Sequence, residues 1–317
     1  MHSVAEPWMW GAFLLFVMVM LSLDILAFGG NKAQKMSVSQ AAWWSLAWVG
    51  MALLFAAGMW AYLSKVAGAE LAQTAAMDFL AGYVIEKALS IDNIFVFLLI
   101  FNHFSVPAEY QRKVLLYGVL GAIVMRISMI LAGVWVVEQF SWVLYGFGVF
   151  LIFTGLKMIW SAEAKEDLQS NLIVRLAKKY FSLTDGFRDE KFIVTENGRR
   201  LLTPLLLVLV LIEISDVVFA VDSIPAIFAI TTDPFIVFTS NIFAIMGLRA
   251  LYFLLADMAD RFHFLKYGLA LILIFVGAKM LLADWFHVST AVSLAVIGCI
   301  VAASVLISLM LNRQAAK

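Results

Sequence analysis

Three carboxylates lie inside an apolar stretch at residues 205–232, which reads LLLVLVLIEISDVVFAVDSIPAIFAITT. They are Glu213, Asp216 and Asp222. The stretch is long enough to cross a bilayer, which takes about 20 residues. A carboxylate at the bilayer centre costs about 2.5–3.5 kcal/mol on insertion scales, so such residues normally face a bundle interior or a watery cavity. Three of them in one helix indicate an ion pathway rather than a simple anchor.

Neutral oxygen donors accompany these acids. Ser215 and Ser223 lie beside the carboxylates, and Pro225 follows Asp222 by three residues. Proline lacks an N–H and clashes with the carbonyl four residues back, so we expect the helix to kink or unwind beside Asp222. Freed carbonyls at membrane depth are tolerated only where protein or a cavity surrounds them. Carboxylates, hydroxyls and carbonyls together would form a hard oxygen site for a cation.

A second apolar stretch, residues 78–104, carries a matching polar set. Glu86, Ser90 and Asn93 occur at i, i+4 and i+7, which places them on one face of a helix. Asp92 lies about 120° around that helix and needs a distortion or a neighbouring helix to join them. We predict that Glu86, Asp92 and the three acids of 205–232 form a metal site, with Ser90, Asn93, Ser215, Ser223 and Asn241 in support.

The residue types favour particular ions. Mn²⁺, Mg²⁺ and Ca²⁺ prefer carboxylate, carbonyl and water ligands. Some of the crowded carboxylates are expected to carry protons, which metal binding would expel, and this offers a route to proton-coupled exchange. Asp24, in the first apolar stretch, is a weaker candidate.

Internal ion pairing is the alternative interpretation of these acids. Lys87, Arg126 and Arg249 lie in the same apolar segments and could neutralise three carboxylates. Five acids against three basic residues leave an excess of negative charge, which favours a cation site. Lys157 and Lys279 lie near segment ends, where snorkelling to the interface is the simpler explanation.

Composition excludes several classes of protein. The chain has 317 residues, 64% of them hydrophobic and 14% charged, with a formal net charge of zero. These values are typical of a polytopic membrane protein. We expect no nucleic-acid partner because no basic stripe is present. One cysteine, four scattered histidines and the absence of a nucleophile–base pair predict neither an enzyme nor a tightly bound cofactor.

Nine apolar spans are predicted, in a single integral membrane domain covering residues 1–317. The fold class is all-α. Spans 1 to 9 run over residues 8–28, 41–63, 78–104, 113–137, 141–160, 202–230, 235–256, 264–283 and 288–311. The first is long enough to be a retained helix rather than a cleaved signal peptide.

Lysine and arginine are distributed unequally between the connections. One alternating set of connections contains 16 of them and the other contains only Lys65. By the positive-inside rule this places the N-terminus outside and the C-terminus in the cytoplasm. The largest connection, 161–200, is therefore cytoplasmic. It can form a short amphipathic helix and a hairpin around Asn197-Gly198, but we interpret it mainly as a solvated linker.

The chain contains an internal repeat. Tyr145-Gly146, Leu151-Ile152-Phe153, Gly155 and Lys157-Met158 recur 122 residues later, beginning at Tyr267. Upstream, Glu86-x5-Asp92 corresponds to Asp216-x5-Asp222. The unit is three spans, about 78–160 and 202–283. Because three is odd, the two copies would be inverted, an architecture of secondary transporters with a site at the repeat interface.

Three segments resemble the signatures of a known family. EKALSIDNIFVF at 86–97, EISDVVFAVDSIPAIFAITTDPFIVFTSN at 213–241 and GLRALYFLL at 247–255 are similar to those of the TerC family of integral membrane proteins. The resemblance covers nearly the whole chain. It implies manganese export across the bacterial inner membrane, roles in manganese and alkaline-pH homeostasis, and a site built from Glu86, Asp92, Glu213, Asp216 and Asp222.

The sequence thus predicts a Mn²⁺ transporter in which protons could be the counter-ion and the lipid bilayer is the surrounding medium. Transport of Ca²⁺ or of H⁺ alone is one rival. The other is a membrane scaffold that supplies metal to exported proteins, as some members of the family are thought to do. No protein partner is predicted from the residues.

Overall fold

The computed structural model describes residues 3–28, 37–140, 142–160, 184–196, 199–256, 265–283, 285–286 and 288–315. Within these residues the chain forms ten helices and one two-stranded hairpin. The helices are α1 (Pro7–Phe28), α2 (Val38–Val66), α3 (Ala69–His103), α4 (Ala108–Gln139), α5 (Val143–Trp160), α6 (Pro204–Phe228), α7 (Pro234–Met246), α8 (Leu248–Ala256), α9 (Leu265–Leu281) and α10 (Thr290–Ala315). The strands are β1 (Ile193–Glu196) and β2 (Arg199–Leu202).

Six helical segments in the described part of the chain are long and apolar enough to cross a membrane. They are α2, α4, α5, α6, the α7–α8 pair and α10. Helix α3 is 35 residues long, about 52 Å at 1.5 Å per residue. It is not one of these six apolar segments because it carries several charged residues. The chain is therefore a helical, multi-pass membrane protein, and the predicted all-α class is confirmed at this level.

Helix α3 lies at the centre of the bundle. It contacts α2 and α10 as well as α6, α7 and α8. Its side chains contribute to three separate groups of buried apolar residues, including Phe79, Ile85 and Ile94. The helix begins nine residues before the predicted span because the preceding segment, AELAQTAAM, is rich in helix-forming residues.

Span 7, predicted over 235–256, is present as one apolar segment, Pro234–Ala256, long enough to cross a membrane. The segment is interrupted at Gly247, which divides it into α7 and α8. Asp233 caps the start of α7 by accepting hydrogen bonds from the backbone N–H groups of Phe235 and Ile236, at 2.8 and 3.2 Å. In the most apolar stretch across the two helices, 94% of the residues are buried inside the protein. Irregular backbone at membrane depth is thus enclosed by protein, as it must be.

The expected unwinding at Pro225 does not occur. Helix α6 continues through Pro225 to Phe228, and its next residue, Ala229, keeps right-handed helical geometry. Pro225 lies close enough to the helix end that only the Val221 carbonyl loses its usual donor. The packing of α6 against α3 and α4 keeps the remaining turns helical. The broken helix of this bundle is therefore α7–α8, not α6.

Helices α5 and α9 pack backbone to backbone. A Cβ built on Gly155 would lie 2.7 Å from the carbonyl oxygen of Ala270, and one on Gly277 would lie 2.6 Å from that of Gly148. These contacts are reciprocal, because Gly155 and Gly277, like Gly148 and Ala270, are 122 residues apart. Later residues of α5 contact earlier residues of α9, so the two helices are antiparallel.

The connection before α6 contains the predicted hairpin. Strand β1 pairs antiparallel with β2 over Ile193–Glu196 and Arg199–Leu202. The hairpin does not behave as a solvated linker, because the rings of Phe192 and Tyr117 lie 5.2 Å apart and attach it to α4. The predicted amphipathic helix of 161–183 lies outside the described residues.

Candidate functional site

A buried arginine joins four helices at the centre of the bundle. Arg126 of α4 is 1% exposed and forms an ion pair with Glu86 of α3. It also donates hydrogen bonds to Asp216 of α6 at 3.3 and 3.5 Å, and to Asn241 of α7 at 2.7 Å. Ser223 of α6 accepts a further hydrogen bond at 3.1 Å. We call these five residues the arginine cluster.

The arginine cluster contains part of the internal ion pairing that was the alternative interpretation of the acids. Glu86 and Asp216 are 0% and 4% exposed, and both carboxylates share the guanidinium group. Arg126 therefore supplies the counter-charge that the sequence suggested. Breaking such a buried pair leaves an uncompensated charge, so the cluster is also expected to stabilise the bundle.

A cavity of about 280 Å³ lies beside the arginine cluster. Its walls include Glu86 and Asn93 of α3 at the end that contacts Arg126. The periodicity that placed these two side chains on one face of α3 is thus seen in the structure. Asn93 also donates a hydrogen bond to Asp216 at 3.5 Å. We call this part of the cavity the arginine end.

Two oxygens at the arginine end have no hydrogen-bond partner within the described residues. They are Oε2 of Glu86 and Oδ1 of Asn93. Both side chains are at least 98% buried, at 0% and 2% exposure. A buried polar atom without a partner costs about 1–3 kcal/mol, and more if it is charged. Each of these oxygens therefore has a lone pair available for a cation ligand or a further donor.

The same cavity is also lined by Asp222 of α6 and by Thr154 and Lys157 of α5. The hydroxyl of Thr154 donates a long hydrogen bond of 3.4 Å to Oδ1 of Asp222. The ammonium group of Lys157 lies within electrostatic range of that carboxylate. We call this part of the cavity the lysine end. Asp222 lines the same cavity as Ser223, although an ideal helix separates their side chains by 100°.

Of the other predicted acids, the described Glu213 does not line this cavity. Glu213 is half-buried and fits against Gly121 of α4, where a Cβ would lie 2.0 Å from Oε1. Asp92 lies in α3 and Asp24 in α1, but the side chains of both lie outside what the structure describes. Among the described Asp, Glu, His and Cys residues, no group of three or more is close enough to hold a metal ion by itself.

The remaining predicted residues stabilise helices. Ser90 and Ser215 donate to carbonyls four residues back in their own helices, at 2.6 and 2.8 Å. Lys87 donates to the Ala244 carbonyl at 3.2 Å, at the end of α7. A cation at this position offsets the negative end of the helix dipole at the Gly247 break. Arg249 is buried at the start of α8.

Sequence reasoning missed Thr154 and Asp78, and it did not predict that Lys157 lines a cavity. Thr154 corresponds to Val276 in the second repeat, so the repeat did not reveal it. Asp78 is 8% exposed and accepts a hydrogen bond from Thr290 at 2.8 Å. It lines a separate cavity of about 560 Å³ with Glu70 and Asp233. In the sequence, the only indication of a role for Asp78 was its position at the start of predicted span 3.

The fold and the cavity define a class: an integral membrane protein with charged residues buried among its helices. The family model described as "Integral membrane protein TerC family" matches residues 71–316. The chain belongs to the TerC family, and the family prediction from its motifs is confirmed.

Full-length relatives agree with this assignment. The chain is 52% identical to "Putative membrane-bound redox modulator Alx" of Salmonella typhi over 314 residues, covering 99% of this chain and 98% of the relative. It is 52% identical to the protein of the same name in Escherichia coli strain K12 over 312 residues, covering 98% and 97%. A membrane protein of Myxococcus xanthus, STKORF319, is 45% identical over 313 residues, covering 99% and 95%. No solved structure matches the chain.

Proposed function

We propose that this protein is an inner-membrane transporter of divalent cations and that its substrate is Mn²⁺. The observation that carries the proposal is the cavity with two unpartnered oxygens, Glu86 Oε2 and Asn93 Oδ1, at one end. Asp222 supplies a carboxylate at the other end. These donors are the hard oxygen ligands that Mn²⁺, Mg²⁺ and Ca²⁺ prefer. The choice of manganese, and of export, rests on the family resemblance.

The cation would bind between the described oxygens with part of its water shell retained. A cavity of about 280 Å³ has room for several waters, whose share of liquid volume is about 30 Å³ each. Asp92 and Glu213 remain candidates for ligation or for carrying the protons that exchange against the metal. Proton antiport is consistent with several carboxylates at similar membrane depth.

Inverted repeats would provide alternating access. The reciprocal contacts of Gly155 and Gly277 between antiparallel helices support a two-fold relation between α5 and α9. With α1, α3 and α9 also crossing the membrane, nine spans would place the N-terminus outside and the C-terminus inside, as the lysine and arginine bias requires.

The test is ⁵⁴Mn²⁺ flux into proteoliposomes, with and without a pH gradient. Wild type is compared with Asp222→Asn and Asp92→Asn, and with Asp185→Asn as a matched control in the cytoplasmic connection. We expect gradient-dependent flux in wild type and Asp185→Asn and little flux in the other two. Competition by Ca²⁺ and Mg²⁺ separates manganese from the rival cations.

Absence of flux from folded wild-type protein would overturn the transporter proposal. It would favour the scaffold alternative, in which the same acids hold metal for delivery to partners. The name of the Alx relatives also suggests a redox role, and flux measured under reducing and oxidising conditions would show whether the two are linked.

A further inference from the structure

Two cations line the same cavity, and they are held very differently. The Nη1 atom of Arg126 donates to Glu86, Ser223 and Asn241. Lys157 has no hydrogen bond or ion pair at direct distance within the described residues, and its side chain is exposed. The guanidinium group is therefore immobile, whereas the ammonium group on its four-carbon stem is free to move.

Among the residues that the structure describes, Asp222 has no arginine partner. Its described hydrogen bond is the long one from Thr154, and Lys157 is the cation that acts on it electrostatically. All three line the lysine end of the cavity. A divalent cation that entered this end would be attracted by the carboxylate and repelled by the ammonium group. Lys157 and the transported ion therefore compete for the same carboxylate.

We infer that Lys157 is the resident counter-cation of Asp222, which neutralises the carboxylate when the site is empty and is displaced when the transported cation binds. Lys157 is thus a positioning residue that lowers affinity and promotes release. The inference rests on the proposed function. It gives Lys157 a role that simple snorkelling does not, because a snorkelling lysine would leave the affinity for the ion unchanged.

The geometry of α5 supports this role. Gly155, two residues before Lys157, packs against the backbone of α9 and so determines the position of the last turns of α5. The equivalent lysine of the second repeat, Lys279, lines a different cavity with Phe228 and Met280. The two lysines occupy equivalent sequence positions but only Lys157 lines the proposed cation cavity, which makes Lys279 a matched control.

The experiment measures equilibrium binding of Mn²⁺ to the purified full-length protein in detergent, at fixed pH and ionic strength. We expect Lys157→Met to lower the Kd about tenfold, since a nearby like charge is removed from the site. Lys157→Arg should stay near the wild-type Kd because it keeps the charge, and Lys279→Met should also bind as wild type does. Lys157→Gln serves as a second neutral variant in case Lys157→Met fails to fold.

A kinetic measurement separates this role from a purely structural one. In proteoliposomes, Lys157→Met should show a lower KM and a lower maximal rate, because tighter binding slows release. A folded variant with an unchanged or weaker Kd would overturn the inference, and so would equal tightening in Lys279→Met. Wild-type protein that binds no Mn²⁺ would instead overturn the proposed function, and the role of Lys157 with it.

Discussion

At the arginine end of the cavity, Arg126 has four hydrogen-bonding partners from three other helices, and every residue of the arginine cluster is nearly fully buried. At the lysine end, Asp222 accepts one long hydrogen bond, and the neighbouring Lys157 forms no hydrogen bond or ion pair among the described residues. The first arrangement resists movement, and the second permits it. Under the proposed function, the first arrangement would hold the bundle together while the second exchanges the ion.

The two ends also differ in how many helices their hydrogen bonds join. The arginine cluster joins α3, α4, α6 and α7. At the lysine end, the hydrogen bond seen among the described residues joins α5 to α6. A change in the position of α5 would therefore alter the surroundings of Asp222 and leave the arginine cluster intact. The following variants test this difference, beginning with the largest expected effect.

Removing the guanidinium group should have the largest effect. Arg126→Met leaves Glu86 and Asp216 as buried acids without a counter-charge, and breaking such a pair costs about 3–5 kcal/mol. We expect a large fall in the midpoint of thermal unfolding, followed by tryptophan fluorescence in detergent. Lys157→Met removes a cation from the other end and should change the midpoint little. Equal midpoints for the two variants would contradict the comparison.

A side chain at the α5–α9 contact should have the next largest effect. Gly155→Leu places atoms where a Cβ already lies 2.7 Å from the Ala270 carbonyl oxygen. Overpacking of this kind costs about 1–3 kcal/mol and should displace α5, so Mn²⁺ binding is expected to weaken as well. Gly146→Leu is the matched control, because nothing lies within 4 Å of a Cβ there. Binding that is equally impaired in both variants would show that the contact is not what positions α5.

Loss of the cation at the helix break should have a smaller effect. Lys87→Met removes the donor to the Ala244 carbonyl, and a cation at a partly buried helix end contributes up to about 2 kcal/mol. Thermal unfolding should begin at a lower temperature, while Mn²⁺ affinity changes less than in Lys157→Met. Lys65→Met, which removes an exposed lysine at the end of α2, is the control. A variant as stable as this control would mean that α7 does not depend on Lys87.

The smallest effect is expected at Thr154. Thr154→Val keeps the shape of the side chain and removes a 3.4 Å hydrogen bond, which contributes at most about 1 kcal/mol. The unfolding midpoint should hardly change, and any change in Mn²⁺ affinity should be less than about fivefold, which corresponds to 1 kcal/mol. Thr154→Ser keeps the hydroxyl and should bind as wild type does. An effect larger than that of Lys157→Met would make the hydroxyl, not the ammonium group, the main partner of Asp222.

Helical periodicity accounts for the part of the site that was predicted well. Glu86 and Asn93 share a face of α3 because seven residues make almost two turns, and both line the cavity. Asp216 and Ser223 share a face of α6 for the same reason, and both contact Arg126. These relations depend only on the local backbone, so the sequence contains them.

What the sequence left open involves contacts between helices. Pro225 suggested a kink or unwinding, but α6 stays helical through it, whereas the interruption in the bundle falls at Gly247. The position of Lys157 near the end of span 5 says nothing about which helix lies opposite, so the sequence did not predict that it lines a cavity with Asp222. Glu213 was grouped with the other acids, and the structure places it in the gap left by Gly121 of α4.

By itself, the sequence determined that this chain is a helical membrane protein of the TerC family, which acids lie at membrane depth and which of them share a helix face. Hydropathy and the 3.6-residue period are local properties, so they can be read along the chain. The tertiary structure alone decided that Arg126 pairs with Glu86 and Asp216, that Thr154 and Lys157 line one cavity with Asp222, and that α7 ends before Gly247. Those relations depend on which helices pack together. The spacing of the residues along the chain does not indicate which helices these are.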